Sequence, residues 1–102
     1  MAGRMSARTL RALRQLGENL TTWRKLQQLT AEQVAERAGI SRSTLSKLEH
    51  GDPGVSMGVL LEVLRALGQV DPLLEATDPL RTDVGRLRAE QGLPQRVRGR
   101  RS

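Results

Sequence analysis

The 102-residue chain has no cysteine, no phenylalanine and no tyrosine, and it has a single tryptophan, Trp23, and a single histidine, His50. Without cysteine there is no disulfide framework, no thiolate zinc site and no cysteine nucleophile. One histidine is too few for an all-protein transition-metal site, so neither a metal nor another cofactor is expected. One aromatic leaves almost nothing on which unpaired bases could stack, which argues against single-strand recognition. The longest apolar runs are three or four residues, as in Val59-Leu60-Leu61. A membrane-spanning helix or the apolar core of a signal peptide needs far more, so no membrane partner is expected. The length suits one small domain with tails and leaves no room for a separate cofactor domain or a lidded cleft.

Enzymatic chemistry finds little material here. No glycine-rich phosphate loop is present. Ser46 and His50 stand one helical turn apart, but no third group would orient the histidine, so the pair reads as a polar helix end. Glu32 and Glu36 are also one turn apart and read as a solvated face. The chain is therefore not expected to be an enzyme.

Charge is present in excess and is unevenly placed. Seventeen basic residues face eleven acids, a net charge of +6. Residues 1–15 carry Arg4, Arg8, Arg11 and Arg14 and no acid, a balance of +4, while residues 86–102 carry +5 and the stretch between them −3. An acidic middle between basic ends implies a polyanion touched partly by the arms. An arginine-rich, acid-free start also matches the composition of a transit peptide. Its apolar stripe runs unbroken into the first domain helix, which favours a helix extension. Fifteen of the seventeen bases are arginine, a coding bias of high-GC bacterial genomes. The expected location is thus a bacterial cytoplasm, at the nucleoid.

Helix signals run the length of the chain, and no alternating stretch is long enough for a strand. Leu10, Leu13, Leu16, Leu20 and Trp23 recur every three or four residues and predict one stripe of a long first helix ending near Gln28. Thr30, with Gln33 three residues on, predicts a capping box and a second helix over Ala31–Ala38 with Val34, Ala35 and Ala38 inward. Gly39 stops it. Ser41 caps a third helix, Arg42–His50, anchored by Leu45 and Leu48. Gly51-Asp52-Pro53-Gly54 is a loop by composition. Ser56 caps a fourth helix through Leu67, closed by Gly68. Asp71-Pro72 and Asp78-Pro79 each carry the cap-then-proline start signal. The first predicts a short helix through Leu73 and Leu74. The second predicts a weaker one with Leu80, Val84 and Leu87 on one face and Gly92 after its end.

Two short helices joined by a glycine-containing turn make a helix-turn-helix, here Thr30 to Gly51. Ala35 is small where the helices cross, Gly39 reverses the chain, and Ile40 plugs the turn. With Leu45 and Leu48 inward, the third helix shows Arg42, Ser43, Ser46 and Lys47 outward. All four donate hydrogen bonds and two are cationic, which suits base edges in the DNA major groove. Thr30 and Ser41 stand at helix starts, where hydroxyls, free N–H groups and the helix dipole favour phosphate.

With these pieces in place, residues 16–70 resemble the phage-repressor and xenobiotic-response-element class of helix-turn-helix regulators. The likeness rests on Leu-Gly-Glu-Asn-Leu at 16–20, Arg24, Leu29-Thr30, the hairpin, and Ser56–Leu67 followed by Gly68. It implies an all-α, five-helix lambda-repressor-like DNA-binding domain. It implies base contacts at Arg42, Ser43 and Lys47 with Ser46 beside them, phosphate contacts at Thr30, Ala31 and Ser41, and a structural ion pair between Arg24 and Glu49. Ala31 stands where the class carries glutamine, and Gln28 where it carries glycine. Glu49–Ser56 and Leu93–Arg98 are further similar to HipB-like antitoxins, which pair with a HipA-type kinase toxin and repress their own operon.

The resulting expectation is a basic helix extension over residues 1–14, a DNA-binding domain over 15–76, and a weak helix with a basic tail over 77–102. Its function would be that of a transcriptional repressor, and of an antitoxin to a HipA-like kinase. It would bind as a homodimer on an inverted-repeat operator in double-stranded DNA, with Leu61, Leu73 and Leu74 as dimer candidates. The alternatives are a stand-alone regulator of the same fold, or a protein-interaction module whose hairpin no longer reads DNA.

Overall fold

Four hydroxyl side chains set where four of the helices begin. Ser6, Thr30, Ser41 and Ser56 each accept the backbone N–H three residues ahead, from Thr9, Gln33, Thr44 and Val59, at 3.0–3.1 Å. Such a cap satisfies a donor that the helix cannot, and stabilises it by about 1 kcal/mol. In the computed structural model, which describes residues 4–92, these caps open α1 (Ala7–Leu26), α2 (Ala31–Ala38), α3 (Arg42–Glu49) and α4 (Met57–Leu67). Then come α5 (Val70–Ala76), a 3-10 turn at Pro79–Arg81, and α6 (Asp83–Gly92). The described residues contain no strand, and no helix among them is long and apolar enough to cross a membrane.

The chain divides between Val70 and Asp71 into two compact units. In the first, α2 packs on α4 and α3, and α1 packs on α3 and α4. Leu20, Val34, Ala35, Ala38, Leu45, Leu48, Val63, Leu64 and Leu67 form the core, all at most 7% exposed. Each side chain removed from water in this way contributes roughly 1.5–3 kcal/mol for a Val or Leu. Gly39 and Gly68 close α2 and α4 in the left-handed conformation, at φ 73° and 75°. Two side chains fasten helix ends across the unit. Gln27 donates to the Leu67 carbonyl at 2.8 Å, and Arg65 to the Arg37 carbonyl at 2.9 Å.

In the second unit, the 3-10 turn packs against α6. Gly85 makes that approach possible, since a Cβ there would overlap the Pro79 carbonyl. The expected single helix face of Leu80, Val84 and Leu87 is split, since Leu80 lies in the 3-10 turn and Val84 and Leu87 in α6, and all three are more than half exposed.

The structure corrects the sequence reading at several points. The α1 stripe is not a buried face along its length. Leu20 alone of the five is fully buried, Leu10, Leu13 and Leu16 are half-buried, and Trp23 is 41% exposed. Helical spacing says which residues share a side, not how far neighbouring helices extend to cover it. Asp71 does not cap α5, which has already begun at Val70 and holds Asp71 in its first turn. Asp78 caps only the 3-10 turn, accepting the Leu80 N–H at 2.9 Å. α6 starts later, where the Thr82 hydroxyl accepts the Gly85 N–H. The described residues thus hold six α-helices, with Gly92 inside the last. The expected basic tail after Gly92 and the Leu93–Arg98 segment lie outside the described residues.

Candidate nucleic-acid interface

The hairpin Thr30–Gly51 is held from three sides. At its entry, Thr30 and Gln33 form a reciprocal capping box: the Thr30 hydroxyl accepts the Gln33 N–H, and Gln33 Oε1 accepts the Thr30 N–H at 2.8 Å. At its turn, Gly39 is left-handed and the Ile40 N–H closes on the Ala35 carbonyl. At its core, Leu45 is 1% and Leu48 7% exposed. Burying these two residues fixes the rotation of α3 about its own axis. Arg42, Ser43, Ser46 and Lys47 are consequently all exposed, on the side away from the core.

These four offer donors of different reach. Arg42 presents a planar fork that matches the two acceptors on a guanine edge. Lys47 carries a mobile point charge one turn farther along, and the short hydroxyls of Ser43 and Ser46 let a backbone approach closely between them. At the end of the row His50 turns back on the helix, with Nδ1 2.7 Å from the Ser46 carbonyl. A carbonyl can only accept, so Nδ1 is the donor in this contact. That contact takes the imidazole away from activating the Ser46 hydroxyl, 3.5 Å distant.

The helix starts supply anion-binding groups through the backbone more than through side chains. After the capping contacts, the N–H groups of Ala31 and Glu32 in α2, and of Arg42 and Ser43 in α3, still lack intrahelical partners. Ala31 has no side-chain donor, so its backbone N–H is what it can offer. The Thr30 hydroxyl accepts from Gln33 and keeps its own proton free to donate. The Ser41 hydroxyl points its proton at Thr44 Oγ1, 2.9 Å away.

Three contacts tie α1 to the far end of α3. Arg24 grips Glu49 with both arms, Nε to Oε2 at 2.9 Å and Nη2 to Oε1 at 3.2 Å, and its third nitrogen donates to the Leu29 carbonyl. Gly17 lies so close to the Glu49 carbonyl that a Cβ would stand 2.3 Å from the oxygen. Gly51, at φ 79°, lies against the backbone of Arg14, where a Cβ would meet Cα at 2.7 Å. Arg24 and Glu49 are the pair expected from the resemblance, whereas the close backbone approach at Gly17 and at the loop residue Gly51 is not foreseen by it. For Gly17 the available signal is a glycine inside a helical pattern; Gly51 reads only as a loop residue.

A family described as helix-turn-helix matches residues 20–74, more than half of the chain. The chain belongs to the helix-turn-helix family. The match takes in the end of α1, the hairpin and α4, and continues into α5. The helix-turn-helix chain is also 29% identical over 70 residues to "Control protein C.SmaI" of Serratia marcescens, an overlap that covers 69% of this chain and 83% of that relative. No solved structure matches.

Proposed function

We propose that this helix-turn-helix protein is a transcriptional regulator that binds duplex DNA in a sequence-specific way, with α3 in the major groove. One observation carries the reading. A short helix is locked against its neighbours by Leu45, Leu48 and the Arg24–Glu49 pair, and it turns only donors outward: Arg42, Ser43, Ser46 and Lys47. Arg42, Ser43 and Lys47 read base edges, with Ser46 beside them. Thr30, Ala31 and Ser41 bring the starts of α2 and α3 to the phosphates. An interaction module would have no need to keep that face cationic and free of apolar residues. The likeness to a control protein agrees with a regulatory role.

One hairpin reads only a few base pairs, and helix-turn-helix repressors lengthen the site by binding as symmetric dimers. A repressor acting as a homodimer on an inverted repeat follows, with half-sites about one DNA turn apart. Among the dimer candidates, Leu61 and Leu74 are exposed and Leu73 is half-buried. Selection of duplexes from a random pool by the full chain tests the reading. Recovered sequences should align on an inverted repeat, and the bound species should have the mass of a dimer. A pool that stays random removes the base-reading function.

The antitoxin role stands on the resemblance of Glu49–Ser56 and Leu93–Arg98 to HipB-like proteins, and the likeness to a control protein adds nothing to it. Its test is co-purification of the full chain with a kinase of the HipA type encoded beside it. Absence of such a neighbour leaves a stand-alone regulator.

A further inference from the structure

Helix α1 is longer than the helix-turn-helix match requires. It begins at Ala7, whereas the match begins at Leu20, so about three and a half turns precede it. Before Gly17, Leu10, Leu13 and Leu16 are half-buried and no residue of α1 is fully buried, so only one side of these first turns is partly covered. What they display is charge. Arg8, Arg11 and Arg14 are all exposed, and no acid occurs before Glu18.

At about 100° per residue, Arg8, Arg11 and Arg14 form a slanting ridge over about 120° of the helix surface, its middle roughly opposite the middle of the side that carries Leu10, Leu13 and Leu16. Like charges three residues apart oppose helix formation by a few tenths of a kcal/mol per pair. Among the described residues, the ion pairs are those of Arg24, Arg65, Arg81 and Arg86, so none of the three ridge arginines has an acidic partner there. The ridge therefore concentrates uncompensated positive charge on a rigid element, a device suited to an external anion.

Its position names the anion. The Arg14 backbone touches Gly51, two residues beyond the end of α3, so the ridge starts where the proposed base-reading helix stops. Six residues of helix separate Arg8 from Arg14, about 9 Å along the axis. Successive phosphates of one duplex strand rise about 3.4 Å each along the duplex axis and wind around it, so three long side chains spread over that length can each reach a neighbouring phosphate.

We propose that Arg8, Arg11 and Arg14 form a second, sequence-independent DNA contact that grips backbone phosphates beyond the bases read by α3. The inference rests on the DNA-binding reading above and extends its footprint. The test compares the full chain with the triple variants Arg8→Gln/Arg11→Gln/Arg14→Gln and Arg8→Lys/Arg11→Lys/Arg14→Lys. Affinity is measured against salt by fluorescence anisotropy, on a duplex selected from the random pool and on a mixed-sequence duplex of equal length.

Loss of three phosphate contacts lowers the slope of log K against log salt by about 2.7 per bound chain. Between 50 and 200 mM salt, that makes the affinity of the glutamine variant fall about forty-fold less per chain. The lysine variant should keep the slope of the full chain, and the preference for the selected duplex should be the same in all three proteins. A glutamine variant with an unchanged slope on both duplexes overturns the proposal, as does a lysine variant that loses the slope along with it. Failure of the full chain to prefer any duplex overturns the base-reading function instead. The slopes on mixed-sequence DNA still decide the ridge in that case.

Discussion

Arg24 and Glu49 meet as two parallel hydrogen bonds, 2.9 and 3.2 Å, between side chains only 13% and 11% exposed. The pair joins the first helix to the last residue of α3, and the spare Arg24 nitrogen holds the Leu29 carbonyl just ahead of α2. One guanidinium thus braces both helices of the hairpin. Removing one partner strands the other in a site with little water. The expected loss lies between that of an exposed pair, about 0–1 kcal/mol, and that of a buried one, about 3–5 kcal/mol. Glu49→Ala should lower the melting temperature and weaken binding to selected DNA together. Arg24→Met combined with Glu49→Leu should recover much of the stability, because it removes both charges at once. A Glu49→Ala protein that melts with the wild type would show the pair to be dispensable.

Gly17 should accept no side chain. A Cβ 2.3 Å from the Glu49 carbonyl oxygen forces α1 and α3 apart, and overpacking of this kind costs typically 1–3 kcal/mol. Gly58 is the control, since in α4 a Cβ meets nothing nearer than the Ser56 hydroxyl at 3.9 Å. Gly58→Ala should stabilise by roughly 0.5–1 kcal/mol. Chemical denaturation of the two variants should move the midpoint in opposite directions. Equal shifts would mean that the α1–α3 approach is not tight.

Gln28 is the sole non-glycine among the described residues with positive φ, at 60°. A side chain in that conformation costs about 1–2 kcal/mol, and glycine there gives back part of this through its freer unfolded chain. Gln28→Gly should therefore stabilise by up to about 1 kcal/mol, a rise of roughly 4–8 °C in melting temperature for a domain of this size. Calorimetry checks it, and a fall in melting temperature would mean that the glutamine makes a contact worth more than its strain.

Arg42→Ala and Lys47→Ala should each reduce binding to a selected duplex more than to mixed-sequence DNA. A base contact of this kind discriminates by about 1–3 kcal/mol, whereas a phosphate contact weakens all sequences alike. Both side chains are exposed and outside the core, so the melting temperature should hold. Equal losses on the two duplexes would reassign both residues to the backbone.

Most of the helix boundaries could be read from residue order because the groups that set them are neighbours. Thr30 and Gln33, Ser41 and Thr44, and Ser56 and Val59 close hydrogen bonds three residues apart, and Gly39 and Gly68 stop their helices through their own backbone freedom. The outward face of α3 was legible for the same reason, since Leu45 and Leu48 can bury only if Arg42, Ser43, Ser46 and Lys47 turn away. The same local logic failed at Asp71 and Asp78. A cap signal says that a helix can start there and does not exclude an earlier start at Val70 or a later one at Asp83.

Contacts between distant residues obey no such spacing. Gly17 against Glu49, Gly51 against Arg14, and Gln27 on the Leu67 carbonyl join residues 32, 37 and 40 positions apart. Each exists because folding brings helices, or the turns at their ends, side by side at one separation. Trp23 shows the same limit from the other side. Its place on the α1 stripe was clear from periodicity, yet it stays 41% exposed. Periodicity assigns a side chain to a face of its own helix. Whether that face is covered depends on where the neighbouring helices end, and the packing of the whole unit settles that.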